Sequence, residues 1–131
     1  MLADGVDHLA PSYDHASSLG RLLSDRRRSR VLEGRERLTV EKFLTRSDAS
    51  GAIYPLKGAR VPPWKLVGDL VDMGFETEVR LWLHRIQAVD EEQLDEIFSA
   101  FPSDWMSQPA IEFAKAILDE TPQLMHRELK Q

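Results

Sequence analysis

Apolar residues recur at helical spacing through the second half of the chain, and this narrows the possible folds most. Phe75, Val79, Trp82, Leu83 and Ile86 stand at i, i+4, i+7, i+8 and i+11. Leu94, Ile97, Phe98 and Phe101 form a second stripe, and Ile111, Ala114, Ile117 and Leu118 a third. Such stripes predict amphipathic helices, which must cover their apolar faces by packing together. The punctuation agrees. Pro62-Pro63 suits the opening of a helix bearing Trp64, Val67 and Val71, and Gly74 suits its end. Asp90 is placed as an N-cap, with Gln93 completing a capping box, and Pro102 ends that helix. Thr121-Pro122 either kinks the last helix or caps a further one reaching Leu129. The three tryptophans and four of the five phenylalanines fall in or near these helices. Their spacing is that of a core stripe rather than a ligand box.

The first half reads less uniformly. Asp4-Gly5, flanked by apolar residues, is a two-residue turn signal and predicts a short hairpin whose second strand is His8–Tyr13. From Ser18 onward the pattern is helical, with Leu19, Leu22 and Leu23 on one face and an arginine run behind them. Residues 38–44 predict a short helix with Thr39 as N-cap. Residues 45–63 collect turn and breaker residues, including Pro55, Gly58, Pro62 and Pro63, and predict a long surface loop. The expected fold is mainly α: a short N-terminal β-hairpin followed by a helical bundle, in one domain spanning residues 1–131.

Length and composition fit that picture. At 131 residues the chain is one domain in size and can bury roughly 65–70% of its unfolded surface. There are no cysteines, which excludes disulfides, thiolate catalysis and structural zinc on sulfur. No apolar run approaches the roughly 20 residues needed to span a bilayer. The N-terminus lacks the cationic and apolar regions of a secretory signal. The expectation is a cytoplasmic protein with no membrane association. Charge is divided unevenly. Residues 1–68 carry 12 basic and 8 acidic side chains, whereas residues 69–131 carry 5 basic and 14 acidic ones, a net −9. Seven arginines fall between Arg21 and Arg37. They suit either a phosphate or acidic partner, or a solvated helix face, since Asp25, Glu33 and Glu36 are interspersed. The acidic second half would repel a phosphate backbone, so direct nucleic-acid binding is not expected.

Complete catalytic sets are missing from the sequence. It contains no Gly-x-Gly-x-x-Gly or Walker-type loop, no His-x-x-x-His pair and no nucleophile elbow. His8, His15, His84 and His126 are dispersed. What remains is Asp14, which follows the apolar segment at His8–Tyr13 and precedes small polar residues and Gly20. A carboxylate so placed suits magnesium, which takes few protein ligands plus phosphate oxygens. It equally suits an Asx-turn, or the N-cap of a helix beginning near Ser17.

The stretch Leu9-Ala10-Pro11-Ser12-Tyr13-Asp14-His15-Ala16-Ser17-Ser18-Leu19-Gly20 resembles a segment of HipA-like serine/threonine protein kinases. There it carries the counterpart of the kinase Asp-Phe-Gly motif. Phe113-Ala114-Lys115-Ala116-Ile117-Leu118 is similar to a closing helix of the same family. The resemblance implies part of a kinase-like C-lobe, with Asp14 as a ligand of the magnesium held by ATP. The complete enzyme would transfer the ATP γ-phosphoryl group to a protein Ser or Thr. That reaction also needs a phosphate-covering loop, a nucleotide-positioning lysine, a catalytic-loop aspartate and an asparagine for metal. In the family these precede the Asp14-type segment, and only 13 residues precede Asp14 here. The expectation is a fragment of such a lobe, inactive alone and binding neither Mg2+ nor ATP tightly by itself. Its partner would be a protein, either an upstream kinase part or an antitoxin-like protein. A cut surface would also expose apolar side chains and favour self-association. The alternative expectation is a non-catalytic helical protein-interaction module, linked by the same resemblance to toxin–antitoxin systems.

Overall fold

The computed structural model describes residues 2–3, 6–7, 19–35, 37–45, 54–56, 59–61 and 66–129. Among them the chain is mainly α. Two short strands, β1 (Leu2–Ala3) and β2 (Val6–Asp7), pair antiparallel on either side of Asp4-Gly5. The expected second strand, His8–Tyr13, lies outside the described residues. Helices α1 (Asp25–Leu32) and α2 (Val40–Thr45) follow. Strands β3 (Tyr54–Leu56) and β4 (Ala59–Val61) then form a second antiparallel pair. The remainder is helical: α3 (Leu66–Asp72), α4 (Glu76–Gln87), α5 (Glu91–Ser99) and α6 (Gln108–Glu128).

Helix α6 is the axis of the molecule, with α1 and α2 on one side and α3 and α4 on another. It owes its length to a favourable start and a long apolar face. Ser107 caps it, its hydroxyl accepting from Ala110 N–H, and Pro109 sits in the first turn, where proline's missing N–H costs nothing. Phe113 and Ala114 are completely buried, and Ile117 and Leu124 nearly so. At Thr121-Pro122 the helix continues rather than ending. Pro122 leaves one carbonyl without its i+4 donor, but Pro122 and Leu124 are buried and hold the last turns in place.

The α1–α2 side holds a buried apolar cluster. Val31, Leu38, Phe43, Phe113 and Ile117 form one buried cluster, with Leu19, Leu23 and Leu44 against its edge. The rings of Phe43 and Phe113 meet edge-to-face, 5.3 Å apart at 75°. Thr39 caps α2, its Oγ1 accepting from Lys42 N–H at 3.2 Å.

Two helix ends show why glycine stands where it does. After α1, Gly34 N–H donates to Val31 O and Arg35 N–H to Arg30 O; after α3, Gly74 donates to Val71 O and Phe75 to Leu70 O. Both are Schellman motifs, which need a left-handed residue, and Gly34 and Gly74 have φ of 68° and 95°. The Asp90 capping box forms as the sequence predicts, with Gln93 N–H donating to Asp90 at 2.8 Å and Asp90 N–H to Gln93 at 3.1 Å.

Three expectations are corrected. Leu19, Leu22 and Leu23 lie on a turn, not on a helix, and α1 starts only at Asp25 behind Ser24. Leu19 and Gly20 both have positive φ, which a right-handed helix cannot include. The aromatic stripe is only partly core: Phe43, Phe98 and Phe113 are buried, but Trp82 and Trp105 are 54% and 71% exposed, and Phe101 faces solvent. Residues 45–63 are not wholly a loop, since Tyr54–Leu56 and Ala59–Val61 pair across Lys57-Gly58. Pro55 is tolerated because a two-stranded ribbon is all edge, and its missing donor can point outward.

Candidate functional site

A groove of about 890 Å³ lies between the end of α4, α5 and the middle of α6. Helical periodicity builds its walls. On α6, Lys115, Leu118, Asp119 and Pro122 recur at i, i+3, i+4 and i+7 and so share a face. This face lies beside the one that buries Phe113, Ala114 and Ile117. On α5, Leu94 and Ile97 turn toward the groove while Phe98 turns into the core. Ile86 and Val89 close the end formed by the α4–α5 connection. Ile86, Val89 and Ile97 remain 37%, 44% and 55% exposed, so the walls are apolar yet wet.

The charges around the groove are arranged unequally. Lys115 on α6 reaches across to Asp95 on α5, and this ion pair spans the two walls. Glu91 and Asp119 also line the groove and have no ion pair among the described residues. Beside it, the Arg85 guanidinium lies 5.0 Å from the centroid of the Trp82 ring, a cation–π contact that occupies the one arginine at this end of α4.

The sequence-predicted metal ligand, Asp14, lies outside the described residues, as do His8 and His15. Among the described residues, no group of three or more His, Cys, Asp or Glu could hold a metal ion. His84 is exposed on α4 and His126 lies near the end of α6.

The arginine cluster divides by role. Arg28 is turned inward: its guanidinium donates to Gly20 O and Arg21 O at 3.2 and 3.3 Å and pairs with Asp25. It therefore ties the Leu19–Leu23 turn to α1. Arg35 pairs with Glu33 at 2.9 Å, and Arg21, Arg26 and Arg27 face solvent. Asp25 is held below the usual carboxylate range, first by a hydrogen bond from Ser107 and then by Arg28. At the opposite end of α6, Arg127 pairs with Glu41 on α2, which raises the arginine's pKa further.

Of the groove lining, Ile86, Leu94, Ile97 and Leu118 belong to stripes that read as core in the sequence, because periodicity identifies an apolar stripe without saying whether another helix covers it. Among the described residues no helix is long and apolar enough to cross a membrane. Compared with family models, characterised proteins and solved structures, the chain shows no match.

Proposed function

We propose that this chain is a non-catalytic helical protein-interaction module that engages its partner through the α4–α5–α6 groove. One observation carries this reading: Ile86, Val89 and Ile97 stay exposed along a concave, largely apolar surface walled by Leu118 and Pro122. Exposed apolar side chains gathered in a concavity mark contact surfaces more often than the same residues scattered singly. The cytoplasm, where a chain without cysteines loses nothing, is the proposed place of action. The test is a photo-crosslinking amino acid placed at Ile97, and separately at Arg27 on α1, in the full chain inside cells. A discrete protein adduct from position 97, absent from position 27 and removed by Ala116→Arg in the groove wall, is expected. Equal labelling from both positions would reject the reading.

A second reading rests on the residues from Leu9 to Gly20 and their resemblance to HipA-like kinases. On it, the helices are part of a kinase-like C-lobe. Asp14 is a magnesium ligand in an enzyme completed by a protein partner, and ATP supplies the phosphoryl group. Thermal stability measured across a Mg-ATP titration, in wild type and Asp14→Asn, addresses it. Little stabilisation of the chain alone is expected. A clear rise with Mg-ATP, lost in Asp14→Asn, would show that the site needs no partner.

A further inference from the structure

We infer that the occupant of the groove is an amphipathic helix of another protein, about two turns long and flanked by Lys or Arg. The inference rests on the groove being a protein-binding surface and adds the chemistry of its partner. Three observations converge on it. The first is shape. The α6 wall runs from Lys115 to Gln123, which at 1.5 Å per residue is about 12 Å, the length of two helical turns. Both long walls are helices whose backbone groups are engaged internally. They offer no free edge for an added strand, whereas a helix brings its own backbone bonds and needs only apolar contact.

The second observation is charge. Lys115, the basic residue of the lining, is held by Asp95, while Glu91 and Asp119 are left without ion pairs among the described residues. Asp90, Glu92 and Glu96 on and beside α5 are also exposed. An incoming acidic helix would meet like charge along this rim, and a basic one would meet complementary charge. The third concerns a second copy of the chain. Its basic helix, α1, has both of its apolar residues turned to its own core, Val31 buried in the cluster and Leu32 packed against it. That helix has no free apolar stripe to insert, so a different protein is the better occupant.

The test uses the full chain and three labelled synthetic helices. One places Leu at i, i+3 and i+7 with Lys flanking, the second replaces Lys by Glu, and the third keeps Lys but scrambles the Leu spacing. The Lys helix is expected to bind at least tenfold more tightly than either of the others. Ile97→Ser, at an exposed position, is expected to weaken it at least tenfold, and the pair Glu91→Lys and Asp119→Lys to abolish the preference for Lys over Glu. Circular dichroism on each variant confirms that it is folded. Equal binding of the Glu helix, still lost in Ile97→Ser, overturns the basic partner while leaving the groove as an interface. Equal binding of the scrambled helix overturns helix recognition. Failure of every peptide, or a concentration-dependent dimer that Ile97→Ser dissolves, overturns the proposal outright, the second by making another copy of this chain the occupant.

Discussion

The two flanks of α6 are built from similar residue types but solve different problems. On the α1–α2 flank, Val31, Leu38, Phe43, Phe113 and Ile117 close on one another, and polar groups lock the edges. Arg28 holds the turn before α1 and pairs with Asp25, and Glu41 pairs with Arg127. On the α4–α5 flank, Val79, Leu83 and Phe98 are buried, yet Trp82, Ile86 and Ile97 are not. There α5 is tied to α6 through the Lys115–Asp95 pair, with an open groove beside it. Exposed ion pairs contribute about 0–1 kcal/mol, so this pair sets geometry more than stability. An apolar stripe is therefore necessary for a core and insufficient to make one. A second surface must arrive to cover it.

If the first flank is the stabilising core, Phe113→Ala should have the largest effect, a loss of about 3–5 kcal/mol by guanidinium unfolding. Phe113 is fully buried and meets both Phe43 and Gly20. Gly20→Ala comes next. A Cβ there would stand 2.6 Å from Cε1 of Phe113, on a residue with φ of 74°. The ring would have to move out of a filled core, at a cost of about 1–3 kcal/mol. A loss below half a kcal/mol would show that the turn yields and that this flank is softer than described.

On the second flank, Asp90→Ala removes the side-chain acceptor that caps Gln93 N–H at the start of α5 and should cost about 1 kcal/mol, read from the same unfolding curves. Ile97→Ser should change stability by less than about 0.5 kcal/mol, because the side chain is more than half exposed. A loss comparable to that from Phe113→Ala would erase the difference between the flanks. Acid provides a further, smaller probe. Asp25 has a depressed pKa in the folded chain, from Ser107 and then Arg28. Its contribution is present above its ordinary value near 3.8 and is lost as pH falls through the lower folded value. Asp25→Asn should flatten that part of the acid-unfolding profile, and an unchanged profile would mean the Ser107 contact is not formed in solution.

Much of this was readable in advance. The capping box at Asp90, the cap at Thr39 and the stop at Gly74 are local signals, each made by residues within a few positions of one another, and each forms as its sequence implies. The turn at Leu19–Leu23 was not readable, because its apolar residues mimic a helical face and its conformation depends on Gly20 meeting Phe113, 93 positions away. The groove was not readable for a related reason. Ile97 and Phe98 are neighbours of equal hydrophobicity, yet only Phe98 turns toward a covering surface.

Sequence alone determined that these residues form amphipathic helices, where several of them start and stop, and that the acidic charge gathers in the second half. Those are matters of short-range hydrogen bonding, backbone freedom and composition. Tertiary structure alone decided which stripe became core and which became a groove. Burial is a relation between surfaces distant in the chain: α6 could be covered by α1 and α2 along one face, and the face beside it was left open.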